Sequence, residues 1–208
     1  MKHLKATDPE IYSLIKEEER RQKDVLEMIP SENYASQAVM EATGSVLTNK
    51  YSEGYPHKRY YQGNEVADKV EDLAIARAKA LFGVPYVNVQ PYSGSPANAV
   101  VYMATLHPGD TIMGLALSYG GHLTHGFPAS FSGTIFKGVQ YQFGNKDIID
   151  FDDLEKLAME CKPKIIIAST TAYPRVIDFE RFSYVADKAG ALLHADISHI
   201  TGLIVAGV

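Results

Sequence analysis

Hydrophobic positions recur along this chain with two periods, and the change from one to the other sorts it into helices and strands. Ile11, Leu14 and Ile15 follow Asp8-Pro9 and predict an amphipathic helix, with Asp8 as its N-cap and Pro9 in its first position. Residues 36–47 predict a second helix. Val66, Val70, Leu73 and Leu81 share one face of a helix over residues 65–81, and Gly83 stops it. A short apolar run predicts a strand at residues 86–89. Ser93-Gly94-Ser95 then opens a helix that runs to about residue 106. Strands are expected at residues 111–115 and 134–139. Asp150 is placed to cap a helix carrying Leu154, Leu157, Ala158 and Cys161 on one face.

The clearest unit comes last. Residues 164–169 (KIIIAS) are a continuous apolar run of strand length, Phe179, Phe182, Val185 and Ala189 mark a helical stripe, and residues 191–195 (ALLHA) are again a short apolar run. Strand, helix and strand within about 30 residues make a βαβ unit, which needs parallel strands covered on both faces. The expected fold class is therefore α/β, a mostly parallel sheet sandwiched by helices. Ligands of such sheets gather at the carboxyl ends of the strands.

Composition narrows the picture. The 208 residues are 46% hydrophobic and 22% charged, which suits a globular chain with a real core. A net charge of -5 argues against nucleic acid as a partner. The first 24 residues mix charged and apolar positions without a signal-peptide core, and no run approaches the roughly 20 apolar residues of a membrane helix. Cys161 is the single cysteine, so no internal disulfide forms. A cytoplasmic protein without membrane partners is expected. There is no internal repeat.

Four segments carry candidate chemistry. Ser93, Gly94 and Ser95 stand between a predicted strand and a helix, where free N–H groups, hydroxyls and the helix dipole suit a phosphate; an ordinary capped helix start fits the same residues. Asp196 follows the last apolar run, where a carboxylate can meet a cationic ligand group or simply cap the next turn. His199 lies three residues on, as a supporting group or a buried neutral imidazole. The segment Gly120-Gly121-His122-Leu123-Thr124-His125-Gly126 sets two histidines three apart. Zinc needs further ligands at suitable spacing and none is near, so no metal is assigned, and stacking on an aromatic ligand and a plain turn stay open. The fourth is the tyrosine-rich loop of residues 48–64, with Tyr51, Glu53, Tyr55, Tyr60 and Tyr61. Its length marks it as functional, for proton transfer or as an oligomer interface.

Taken together, the stretches IPSENY (29–34), GSVLTNKYSEGYP (44–56), RYYQGNE (59–65), NVQPYSGSPANAVVY (88–102), GGHLTHG (120–126), AYPRVIDF (172–179) and ADISHITGL (195–203) resemble the serine hydroxymethyltransferase family in family order. The resemblance implies a fold-type I pyridoxal-phosphate large domain, aspartate-aminotransferase-like, with an N-terminal helical arm. On that reading residues 1–50 form the arm and 51–208 an incomplete cofactor-binding domain. It implies pyridoxal 5'-phosphate as cofactor and tetrahydrofolate as co-substrate, with serine and glycine interconverted. Ser93, Gly94 and Ser95 match the phosphate cradle, His122 the imidazole over the cofactor ring, Asp196 the partner of the ring nitrogen, and His199 a histidine close to it. Thr171 stands where a serine is usual. Ser31 matches a substrate-side serine. Tyr51, Glu53, Tyr60 and Tyr61 match residues that reach a neighbouring subunit's site, with Glu53 handling protons, and Leu117, Gly121 and Leu123 match positions near folate.

Tyr92, Pro96, Gln62, Asn64 and Ser118-Tyr119 depart from the usual pattern, and Tyr92 and Tyr119 alter the expected pocket wall. The Thr-Thr-His-Lys context of the Schiff-base lysine is not found up to Val208; Lys50, Lys137 and Lys164 read as loop or strand-edge charges. The chain alone is therefore expected to be inactive, part of a homodimer or tetramer, or joined by a complementary C-terminal half carrying the small domain. A threonine-aldolase-like or transaldolase reaction, or a non-catalytic partner subunit, is the alternative.

Overall fold

The computed structural model describes residues 1–144 and 147–208, which divide into two compact units, Met1–Tyr34 and Ala35–Val208. In the first, α1 (Lys2–Thr7) precedes α2 (Pro9–Asp24). The Asp8 side chain accepts the Ile11 N–H at 3.0 Å, and Pro9 fills the first helical position as its fixed φ allows. Surface pairs one turn apart, Lys16 with Glu19 and Arg21 with Glu18, line the polar side. Ser31 belongs to this unit.

The second unit begins with α3 (Gln37–Thr43), shorter than expected. Its N-cap Ser36 accepts from the Val39 N–H, and Gly44 ends the helix before a 3-10 turn at Val46–Asn49. A two-residue ladder, β1 (Gly54–Tyr55) against β2 (Lys58–Arg59), folds the tyrosine loop back on itself. Helix α4 (Glu65–Phe82) closes on Gly83 in the left-handed region at φ 64°. Val66, Val70, Leu73 and Leu81 lie along it, yet all four are exposed. The strand expected at residues 86–89 does not form. Without a neighbouring backbone to satisfy its N–H and C=O groups, an apolar run stays irregular, and Tyr86 stands in solvent.

The remainder is the α/β core. Helix α5 (Gly94–Thr105) leads to β3 (Thr111–Leu115), the short α6 (Phe131–Ile135), β4 (Lys137–Tyr141), α7 (Phe151–Cys161), β5 (Ile165–Ala168), α8 (Phe179–Ala189), β6 (Leu192–Ala195) and α9 (Thr201–Ala206). The strand expected at residues 134–139 starts only at Lys137, because residues 131–135 close a helical turn from Ser130, where Gly133 packs against the Phe127 carbonyl. The sheet order is β4-β3-β5-β6, all parallel. Both faces are covered, and alternate residues serve different layers. Ile112, Ile165 and Ile167 pack with Tyr102 of α5 and Phe136. Met113, Leu115, Ile166 and Ala168 pack with Leu154 and Ala158 of α7 and with Phe182 and Val185 of α8. After β3 the chain crosses to one side of the sheet, and after β5 to the other. The carboxyl ends of β3 and β5 therefore flank a topological switch point.

Candidate active site

At that switch point the loop after β3 turns back over its own strand. Gly120 takes φ +91°, and Gly121 lies so close to the Leu115 carbonyl that a Cβ would overlap it. The Gly120 carbonyl accepts both the N–H (2.9 Å) and the hydroxyl (3.1 Å) of Thr171, tying the loop after β3 to the loop after β5. Two serines pin the same loop from below. Buried Ser132 Oγ accepts the Gly126 N–H at 3.0 Å and contacts the Leu123 carbonyl at 3.1 Å, and Ser130 Oγ donates to that carbonyl at 2.6 Å. Glycine at 114 in β3 gives His125 its seat, since a methyl there would come 2.7 Å from the His125 carbonyl and 2.8 Å from its Cβ.

The result is a closed polar network around Asp196, just past β6. Its Oδ2 accepts from Asn98 Nδ2 at 2.9 Å and lies 3.0 Å from His125 Nε2. Its Oδ1 accepts from the Ser198 N–H at 3.2 Å and the Ser198 hydroxyl at 2.6 Å. His125 Nδ1 accepts the His122 N–H at 3.2 Å, which turns Nε2 toward Asp196. Burial opposes ionisation of Asp196, but the bonds from His125, Asn98 and Ser198 outweigh it and hold the carboxyl far below the usual carboxylate range. Asp196 is thus an ionised, largely buried carboxylate with no lysine or arginine bonded to it among the described residues.

His122 is oriented in the same way. Its Nδ1 accepts the Thr124 N–H at 3.2 Å and sits 2.8 Å from Thr124 Oγ1, which itself accepts from Asn98 Nδ2 at 2.8 Å. Burial, then the neighbouring His125, push its pKa below 6.5, so the ring is neutral at pH 7. Tyr102 of α5 donates to the Thr124 carbonyl at 2.9 Å and fastens the loop to the helix.

Ser93 is the N-cap of α5 but makes no side-chain cap bond, and Ser93, Gly94 and Ser95 are exposed at the helix start. A methyl built on Gly94 would lie 3.9 Å from Ser198 Oγ, so the helix start and the Asp196 turn are neighbours. Of the sequence-predicted residues the structure brings together Gly94, His122, Thr171 and Asp196, with Ser93 and Ser95 flanking Gly94. His199 follows in the same turn, half-buried. Leu117 and Leu123 stand exposed on either side of Gly121. Asn98 and Ser198 were not singled out from the sequence, and Thr124 and His125 stood out only as members of the two-histidine segment, without a role toward Asp196. The one signal for Asn98 was its place a single helical turn after Ser95.

The tyrosine loop makes a separate grouping. Tyr51 and Tyr61 pack edge to face at 4.9 Å, and Tyr60 is exposed. Tyr51 and Glu53 line a cavity of about 710 Å³ with Leu47, Val70, Ala74 and Val89. Arg59 braces the loop. It donates to the Ser52 and Gly54 carbonyls at 2.8 and 2.6 Å, and to Asp68 and Glu71 of α4 at 2.8 and 2.6 Å. No residue lining this cavity bonds to the Asp196 network among the described residues. No group of three or more metal-ligating side chains occurs among them, and no helix is long and apolar enough to cross a membrane.

Residues 4–208 match the family model described as serine hydroxymethyltransferase. Proteins named serine hydroxymethyltransferase are 57% identical in Desulfotalea psychrophila (100% of this chain, 49% of the relative) and 57% in Acidothermus cellulolyticus (99% and 48%). A third, from Wolbachia sp. subsp. Drosophila simulans, is 60% identical (98% and 48%). The chain spans about half the length of the curated relatives it matches.

Proposed function

We propose, because this chain belongs to the serine hydroxymethyltransferase family, that it forms the cofactor-cradling part of a cytoplasmic, homodimeric pyridoxal-phosphate enzyme that interconverts serine and glycine and passes the one-carbon unit to tetrahydrofolate. The observation that carries this reading is the ionised Asp196, held by Asn98, His125 and Ser198 with no lysine or arginine bonded to it among the described residues. A buried carboxylate without such a partner suits a ligand that brings its own positive charge, and a protonated pyridine nitrogen is such a group. The exposed start of α5 suits the phosphate of the same ligand, through free N–H groups, the Ser93 and Ser95 hydroxyls and the positive end of the helix dipole. The donor set therefore fits pyridoxal phosphate at both ends. Bound there, the cofactor supplies an electron sink for charge released at the α-carbon of the amino acid.

The chain's own groups set the conditions. Asp196 would hold the proton on the ring nitrogen, because its low pKa keeps it ionised while His125 and Asn98 fix its plane. His122, oriented by Thr124, would supply the imidazole against the cofactor ring that the family resemblance implies. Thr171 and Gly120 keep the mouth of the crevice in register. Glu53, with Tyr51, Tyr60 and Tyr61, serves proton transfer at the serine hydroxyl in a neighbouring subunit's site, with Ser31 on the substrate side, and Leu117, Gly121 and Leu123 border the folate. The test is conversion of serine to glycine by the complete, cofactor-loaded enzyme that contains this chain, with and without tetrahydrofolate, beside Asp196→Asn. Turnover that depends on tetrahydrofolate, with cofactor affinity roughly tenfold to hundredfold weaker in the variant, supports the reading. Equal turnover without the folate, or an unchanged variant, overturns it.

A further inference from the structure

The Asp196 carboxylate offers about four lone-pair positions, and all four are taken. Asn98 and His125 fill Oδ2, and the N–H and hydroxyl of Ser198 fill Oδ1. Any donor arriving on a ligand must displace one of them. Asn98 is 5% exposed and shares its amide with Thr124. His125 is 1% exposed, and its far nitrogen is held by the His122 N–H. The Ser198 N–H is backbone, fixed by the turn. Only the Ser198 hydroxyl can leave by rotation about one bond, at an exposed residue. It also touches both halves of the site, 2.6 Å from Asp196 Oδ1 and 3.9 Å from where a Gly94 methyl would stand.

We propose that the Ser198 hydroxyl is a displaceable placeholder, which occupies the lone pair of Asp196 that a ring N–H takes when the cofactor binds. This rests on the pyridoxal-phosphate reading above. While the site is empty the hydroxyl keeps the carboxylate in position. On binding it must turn away, so it weakens affinity by about one net hydrogen bond. Ser198→Ala removes the hydroxyl and leaves the backbone N–H bond to Oδ1 intact. Ser198→Thr keeps a hydroxyl.

The experiment titrates the protein with pyridoxamine 5'-phosphate, which binds without a covalent bond to lysine, and with the analogue carrying C–H in place of the ring nitrogen. Fluorescence reports binding. Ser198→Ala should bind pyridoxamine phosphate roughly threefold to tenfold more tightly and the carbon analogue no differently, while Ser198→Thr matches the parent protein. Unchanged or weaker binding in Ser198→Ala overturns the placeholder role, as does equal tightening for both ligands, which would reflect added space alone. If the parent protein binds both ligands alike and Asp196→Asn changes neither, the cofactor reading itself fails and the placeholder with it.

Discussion

Replacing Asn98 by alanine removes two hydrogen bonds of the Asp196 network in one step. Asn98 Nδ2 stands 2.9 Å from Asp196 Oδ2 and 2.8 Å from Thr124 Oγ1. A bond to a charged acceptor contributes about 1.5–3 kcal/mol and a neutral one about 1 kcal/mol, so the pair holds roughly 2.5–4 kcal/mol. The space left by the carboxamide is polar and has two partners for a water, which recovers part of that. A loss of about 2–3 kcal/mol is therefore expected for Asn98→Ala. Asn98→Leu fills the space with apolar atoms and should lose more. Urea unfolding at pH 7, with the slope checked for constancy, measures both. If both variants stay within about 0.5 kcal/mol of the parent, below what such a bond contributes, Asp196 does not depend on α5 and the network is not coupled.

Gly114→Ala would press a methyl onto His125 at 2.7–2.8 Å, costing about 1–3 kcal/mol and moving the Asp196-bonded ring signal of His125 in NMR; an unshifted signal would show that the seat is not tight. Tyr119 packs on Phe143 at 5.7 Å, and Phe143 on Tyr173 at 5.1 Å, above the ends of β3, β4 and β5. Tyr119→Leu should lose about 0.5–1.5 kcal/mol on urea unfolding and Tyr119→Phe almost nothing, because the ring edge and not the hydroxyl makes the contact. Stability should also fall with acid in a stated order. His122 and His194 have folded pKa values lowered by burial, so the unfolded chain binds more protons than the folded one below about pH 6.5. Their contribution is full above that pH and is lost as pH falls through the folded values. The low pKa of Asp196 holds its contribution until the unfolded carboxylate range near 3.8 is passed. A falling thermal midpoint between pH 7 and pH 5, made shallower by His194→Phe, is the expected record; a midpoint flat over that range would contradict it.

The local grammar of the chain was legible in its residues. Helix starts at Asp8, Ser36 and Asp150, the stop at Gly83, and the βαβ unit of β5, α8 and β6 follow from capping chemistry and hydrophobic period, which depend on neighbours in sequence. The α/β class and the place of Asp196 at a strand end were legible for the same reason. What sequence could not rank was partnership. Residues 86–89 have the composition of a strand but find no ladder, and the stripe on α4 has the right period but stays exposed. Both outcomes depend on what lies alongside. The same holds for Asn98 and His125. They are 98 and 71 residues from Asp196 in sequence, and only the order β4-β3-β5-β6, with α5 packed across one face, gathers them on one carboxylate, whereas Ser198, two residues on, reaches it within its own turn. The residues by themselves determined that Ser93-Gly94-Ser95 open a helix and that Asp196 follows a strand. Tertiary structure decided that Asp196 stays ionised within its network, because the balance between burial and hydrogen bonding exists only once the sheet has closed around it.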